Sequence, residues 1–266
     1  MSSASARAKL NLTLLVGPRR PDGKHEVATV LQRLALADRI DLEPAGALDV
    51  DGFAEDTIVR RALEALGERA GVPPHWHARI TKEIPVAAGL GGGSSDAATA
   101  LRLANATLEG PLPAGELARL AAAIGADVPF FLADGPQLGS GDGSTLEPVA
   151  LAQEYVVLLV LPGAERKSST RAVYEDFDRR DGARGFAERR ARLVAALSPP
   201  DLRALPANDL VSSPVADEMR ALGAFRADVT GAGPIVYGLF PNRDAAGAAE
   251  AQIRSRGRTW ITTPEW

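Results

Sequence analysis

The 266-residue sequence predicts an α+β fold in two parts, residues 1–150 and 151–266. Three observations carry this prediction. Apolar residues alternate, or run continuously, in short segments of both parts, as strands require. Between them lie segments whose apolar residues recur at helical spacing. A turn-rich stretch, residues 134–148, separates the two sets. The length suits one large or two small domains, and 45% hydrophobic with 24% charged residues is an ordinary globular mixture.

In chain order, Leu10, Leu12 and Leu14 alternate with Asn11 and Thr13, a strand pattern, and residues 17–23 (GPRRPDG) form a turn-rich loop or hairpin. Val27 to Leu36 and Arg39 to Leu42 read as two further strands parted by Ala37-Asp38. Ile58, Ala62, Leu63 and Leu66 place a helix over Thr57 to Leu66, and His77 to Ile80 is a strand, with Pro85 ending the segment. Asp96 to Leu108 is alanine-rich and free of glycine and proline, hence helical, with Ser94, Ser95 and Asp96 supplying cap chemistry. A second helix covers Glu116 to Ile124, and Gly135 to Gly143 reads as a glycine-rich loop. Tyr155 to Leu161 is a buried strand and residues 184–197 a charged amphipathic helix. A glycine turn at Gly231-Ala-Gly233-Pro234 leads into a strand, Ile235 to Phe240, and Ala245 to Arg256 is the last helix.

Composition removes several classes. Without cysteine there is no disulfide framework, thiolate nucleophile or cysteine metal site. Three histidines, His25, His75 and His77, cannot build a histidine-rich metal centre. Thirty basic against 34 acidic residues leave no broad basic face for nucleic acid. No apolar run approaches the roughly 18 residues of a membrane span. Residues 1–16 imitate a signal peptide only weakly, because Asn11 and Thr13 interrupt the apolar stretch. The expectation is a cytoplasmic protein that binds neither nucleic acid nor membrane, as a monomer or homodimer. Only four basic residues are lysine, namely Lys9, Lys24, Lys82 and Lys167.

The most unusual passage is Gly89-Leu90-Gly91-Gly92-Gly93-Ser94-Ser95. A backbone this free of side chains can curl until several N–H groups converge, and a helix starting beyond it adds its own unpaired N–H groups and dipole. That is phosphate-binding chemistry, with Ser94 and Ser95 able to add hydroxyl donors or face a phosphate-bound Mg²⁺. A flexible tight turn is the alternative. The pattern is neither G-x-x-x-x-G-K-S/T nor G-x-G-x-x-G, since Ser94 stands where the last glycine would be.

Pro85-Val-Ala-Ala-Gly-Leu-Gly-Gly-Gly-Ser-Ser-Asp-Ala-Ala98 resembles the phosphate loop of the galactokinase, homoserine kinase, mevalonate kinase and phosphomevalonate kinase superfamily. Within it, Ala8-Lys9-Leu-Asn11-Leu, Arg20-Pro-Asp-Gly-Lys-His25, Gly125-Ala-Asp-Val-Pro129 with Phe130-Phe131, Leu138-Gly-Ser-Gly-Asp-Gly143, Asn208-Asp209-Leu and the 231–240 segment resemble 4-diphosphocytidyl-2-C-methyl-D-erythritol kinases. The resemblance spans residues 8 to 240. It implies a two-domain small-molecule kinase fold, with an N-terminal ribosomal-protein-S5-like domain, a C-terminal ferredoxin-like domain and the active site in the cleft between them. It further implies ATP with Mg²⁺, and phosphorylation of the 2-hydroxyl of a cytidine-diphosphate-linked sugar alcohol. Another alcohol kinase of the superfamily, of homoserine or mevalonate type, is the alternative; a non-catalytic nucleotide-binding module is a third reading, opposed by the intact Lys9 and Asp127.

By resemblance, Asp127 is the general base and Lys9 the ammonium that keeps it ionised and steadies the transferred phosphoryl group. Asn11, on the strand face of Lys9, contacts substrate. His25 hydrogen-bonds the cytosine. Lys24 stands where an aromatic residue generally stacks on the base, with a diphosphate contact or cover of the ring by its alkyl stem as its substitutes. Thr170 and Tyr174 match a threonine and an aromatic residue on the other side of the base. Lys82 and Pro85 flank the ATP site. Asp56 and Thr57 occupy a segment that touches adenine, where Asp56 replaces an asparagine and leaves recognition to backbone groups. Gly231 and Gly233 match a C-terminal glycine motif closing over the site, and Ala232 replaces a common serine. The sequence assigns no metal ligand.

Overall fold

A computed structural model describes residues 1–54, 56, 58–163 and 169–266. In chain order the strands and helices are β1 (Ser2–Arg19), β2 (His25–Pro44), β3 (Asp49–Asp51), α1 (Ile58–Ala70), β4 (Trp76–Thr81), α2 (Gly92–Asn105), α3 (Ala114–Ile124), β5 (Gln137–Gly141), β6 (Thr145–Pro148), β7 (Val156–Pro162), α4 (Thr170–Arg179), α5 (Phe186–Ala196), α6 (Pro214–Ala221), β8 (Arg226–Val229), β9 (Val236–Phe240), α7 (Arg243–Ile253) and β10 (Gly257–Thr262). Short 3₁₀ turns occupy Pro129–Leu132 and Arg254–Arg256. The α+β class read from the sequence holds.

Contacts group the chain into two compact units that interleave along the sequence, and β1 and β2 contribute residues to each. The first unit holds Met1–Ala8, Leu36–Ala87 and Gly91–Asp134. Its sheet pairs the far half of β2 antiparallel with β4 (Ile40 opposite Ile80) and β4 parallel with β3. Helices α1 and α2 pack together, burying Val59, Ala62, Leu63 and Leu66 of the first and Ala97, Leu101 and Ala104 of the second.

The second unit holds Lys9–Ala35, Ala88–Leu90 and Gly135–Trp266. Here the near half of β2 pairs antiparallel with β5, and β5 with β6. A separate antiparallel sheet runs β10-β7-β9-β8. Its core joins Leu158, Val160 and Val236 to Val215 and Met219 of α6 and to Ala246, Ala249 and Ile253 of α7. A smaller cluster of Leu14, Val16, Val27, Phe177 and Leu210 sets α4 against β1 and β2.

Four expectations change. Residues 27–42 form one strand rather than two, because Asp38 is buried within β2 and its carboxylate finds partners there. Helix α2 begins at Gly92, four residues before Asp96; its cap is Gly91, with no side chain bonded to the terminus, so Ser94, Ser95 and Asp96 lie inside the helix rather than capping it. The 135–143 segment contains β5, where Gly139 leaves room for Thr29 and Leu31 of the paired strand. After α7 the chain adds β10, a strand the sequence reading passed over.

Candidate active site

In the second unit, β1 presents Lys9 and Asn11 side by side, as the strand alternation predicts. Both are buried, and Lys9 Nζ donates to Asn11 Oδ1 at 2.6 Å. Asn11 is fixed in turn: its amide donates to Thr29 Oγ1 at 2.8 Å, and its backbone N–H to Thr230 Oγ1 at 2.9 Å. The Lys9 backbone N–H donates to the Leu90 carbonyl at 2.9 Å. The turn at Gly231 and Gly233 closes on this group. Gly231 holds φ +59°, and a Cβ there would lie 3.2 Å from Asn11 Oδ1 and 4.0 Å from Lys9 Nζ. Glycine is thus required both by the left-handed backbone and by the space. A Cβ on Gly89 would lie 3.1 Å from the Gly233 carbonyl oxygen. Asn208, quoted above only as part of a motif, proves to hold the turn: its amide donates to the carbonyls of Val229 at 2.9 Å and Gly231 at 2.7 Å.

The same unit contains a cavity of about 410 Å³ lined by Lys24, His25, Asp142, Thr170 and Tyr174 among others. Four sequence-predicted residues therefore meet in one place. His25 is buried, its Nε2 lies 2.7 Å from Asp178 Oδ1, and its ring centroid is 5.1 Å from that of Tyr174, tilted by 34°. Phe177 meets it edge-on. Burial raises the Asp178 pKa, but hydrogen bonds from Arg19 and His25 outweigh that and hold the carboxyl below its usual range. With Nε2 engaged, Nδ1 is the ring atom left to read a ligand. Thr170 opens α4, capped by the Ser169 hydroxyl, and Tyr174 follows one turn on. Lys24 pairs with Asp142 at 2.5 Å. The hydrogen bond from Lys24, with those from Ser144, pulls Asp142 down to about 2, and the same contact raises Lys24.

In the first unit, the chain enters α2 through Gly91, at φ 70°, a conformation that favours glycine. With no side-chain cap, the first-turn N–H groups of Gly92, Gly93 and Ser94 have no intrahelical acceptor. Ser95 is buried and its N–H donates to the Gly91 carbonyl at 2.9 Å. Lys82 lies beside this turn, bonded to Asp38 and, at 2.8 Å, to Asp96. Desolvation opposes its charge, yet the carboxylates of Asp96 and Asp38 win and raise its pKa. Burial, reinforced by the charge of Asp38, pushes Asp96 up to about 7. Asp56 caps α1, its carboxylate accepting the backbone N–H groups of Ile58, Val59 and Arg60 at 3.0–3.2 Å. Asp127 lies half-buried in the turn between α3 and the 3₁₀ turn at Pro129. Thr57 and Lys167 fall outside the described residues. Among the described residues, no three histidine, cysteine, aspartate or glutamate side chains group so as to hold a metal ion, and no helix is long and apolar enough to cross a membrane.

Comparison with known proteins places the chain in a family. Residues 57–135 match the model described as GHMP kinases N terminal domain, and residues 211–259 the one described as GHMP kinases C terminal. The 4-diphosphocytidyl-2-C-methyl-D-erythritol kinase of Salinispora tropica is 38% identical over 92% of this chain and 84% of its own. That of Syntrophus aciditrophicus is 35% identical over 95% and 94%. The chain belongs to the 4-diphosphocytidyl-2-C-methyl-D-erythritol kinase family. A crystal structure of 4-(cytidine 5'-diphospho)-2C-methyl-D-erythritol kinase superposes with a TM-score of 0.82 at 32% identity, over the whole of both chains. The Methanococcus jannaschii mevalonate kinase shares the fold, with a TM-score of 0.78 at 14% identity. The residues the sequence reading left without a role, Asp38, Asp178 and Asn208, all act by holding other predicted residues, and no motif announces such partners before the chain is folded.

Proposed function

We propose that this chain transfers the γ-phosphoryl group of ATP to the 2-hydroxyl of 4-diphosphocytidyl-2-C-methyl-D-erythritol, a step of the non-mevalonate route to isoprenoid precursors. The observation that carries the reading is the cavity of about 410 Å³ around buried His25 and Tyr174, in a chain whose near full-length relatives bear that substrate's name. The cavity takes the cytosine. His25 reads the base edge through Nδ1, Tyr174 stacks on the base, Thr170 lines the opening, and Lys24 lies at the rim where it meets the diphosphate.

Phosphoryl transfer asks the protein mainly for position and charge. The N–H groups of Gly92, Gly93 and Ser94 hold the ATP phosphates, with Gly89, Leu90 and Pro85 shaping the approach and Ser95 buried behind it. Backbone near Asp56 meets the adenine. Asp127 accepts the proton of the attacking hydroxyl, which contributes roughly 10²–10⁴-fold. Lys9 offsets the negative charge of the transferred group, Asn11 orients the sugar alcohol, and Gly231 and Gly233 close over both. Among the described residues no three histidine, cysteine, aspartate or glutamate side chains group to hold a metal ion, so Mg²⁺ would be carried in with ATP, with Ser94 and Ser95 the hydroxyls nearest to meet it. A cysteine-free chain suits the reducing cytoplasm, where we place the reaction. We retain residue 150 as the division between an ATP-binding part and a second kinase part.

The test is product analysis. The purified protein, Mg·ATP and the cytidyl compound should yield ADP and a new phosphomonoester, located by ³¹P NMR on the 2-carbon. Phosphate on another hydroxyl, or no product, contradicts the reading.

A further inference from the structure

Asp38 interrupts an apolar strand with a carboxylate that is 1% exposed. Its Oδ1 accepts the backbone N–H groups of Glu83 at 2.6 Å and Ile84 at 2.8 Å, and its Oδ2 accepts from Lys82 Nζ. Lys82 in turn reaches Asp96 Oδ2 at 2.8 Å, just beyond the first turn of α2. One residue of β2 thus ties the chain leaving β4 to the start of the helix that follows the glycine loop. The packing leaves little slack. A Cβ added to Gly92 would lie 3.2 Å from Ile84 Cγ2, 3.3 Å from Lys82 Nζ and 3.4 Å from Asp38 Oδ2. Glycine at 92 lets the helix start press directly onto this charged group.

The arrangement bears on Lys82, the residue placed by resemblance near ATP. An ammonium gripped by two buried carboxyl groups is poorly suited to leave them for a phosphate, since its departure would leave the buried Asp38 carboxylate uncompensated out of water and Asp96 without its partner. We propose that Asp38 is the positioning residue of the phosphate loop, and that Lys82 acts on ATP through the Asp38–Lys82–Asp96 tripod by aiming the N–H groups at the start of α2, without touching phosphate. This deepens the reading above and rests on its assignment of the ATP phosphates to that helix start.

Three full-length variants decide it: Asp38→Asn, Lys82→Met and the double variant, each measured for kcat, for KM of ATP and of the cytidyl substrate, and for binding of a non-hydrolysable ATP analogue. The tripod predicts that Asp38→Asn and Lys82→Met each raise the KM of ATP and weaken analogue binding by about tenfold or more, the scale of one charged hydrogen bond. The KM of the second substrate should stay within about twofold, and the double variant should be no worse than the weaker single, because both remove the same unit. A general loss of folded protein would lower the apparent kcat and leave the KM of ATP in place. A direct Lys82–phosphate contact predicts the opposite for Asp38→Asn: the released ammonium would bind ATP as well as before, or better, and that result overturns the proposal. If Lys82→Met does not fold, because it leaves the Asp38 carboxylate uncompensated, Asp38→Asn and the double variant still decide. Wild-type protein that binds no analogue would instead overturn the ATP assignment on which the tripod rests.

Discussion

At the start of α2 the groups offered to a ligand are backbone N–H groups, whereas in the cavity around His25 they are side chains. The first region is aimed from beneath, by the buried charges of Asp38, Lys82 and Asp96. The second is aimed from the side, by Asp178 on His25 and by Asp142 on Lys24. The difference teaches where each can change. A backbone cradle has no side chain of its own to exchange, so what it cannot lose is its curvature and the buried charges beneath that set it. A side-chain pocket can exchange one contact for another, and Lys24 is such an exchange: an ion pair with Asp142 stands where the resemblance expects a stacking ring.

The largest expected effect leaves both regions intact. Asp127→Asn should lower kcat by roughly 10²–10⁴-fold while the Kd of ATP, measured by calorimetry, is unchanged; unchanged turnover would remove Asp127 from the chemistry. Gly91→Ala should strike only the cradle. A methyl group at φ 70° costs about 1–2 kcal/mol, and the KM of ATP should rise severalfold with that of the cytidyl substrate unmoved. Lys24→Tyr should strike only the pocket, in the favourable direction. One new stacking contact is worth about 1–3 kcal/mol, so steady-state kinetics should show a lower KM for the cytidyl substrate and no change for ATP. Loss of an exposed ion pair should barely move the melting temperature.

A separate effect, on stability rather than on kinetics, concerns pH. Asp96 titrates near 7 in the folded chain and near 4 when unfolded, so the native state holds an extra proton between these values. Stability from this group is therefore lost as pH rises from about 4 to about 7. The melting temperature of wild-type protein, relative to Asp96→Asn, should fall across that window; a flat difference would mean that burial does not hold the proton on Asp96.

Much of this was legible in the sequence, for reasons that differ by element. The strands Leu10 to Leu14 and Tyr155 to Leu161 follow from apolar pattern alone, and the α2 helix from its alanine content. The glycine loop was legible as an unobstructed backbone leading into a helix, because only backbone freedom is needed to argue it. Its exact start was not, since the serines looked like caps and the cap is Gly91. Asp38 looked like a break because its compensation lies 44 residues away at Lys82, and pattern reading sees only neighbours in sequence. The partner that lets His25 be buried was equally out of view, since Asp178 lies 153 positions on. Strand β10 was missed because Arg258 and Thr259 interrupt its apolar pattern, and pairing with β7 supplies what that pattern lacks.

The central claim is that the side-chain pocket selects a cytidyl substrate for an ATP-binding loop common to several kinases. One competition measures it most directly. Wild-type protein with Mg·ATP is offered the cytidyl compound, homoserine and mevalonate in turn, and ADP release is followed. The account predicts turnover with the cytidyl compound and none above background with the other two. ADP release with homoserine or mevalonate, and none with the cytidyl compound, would contradict it.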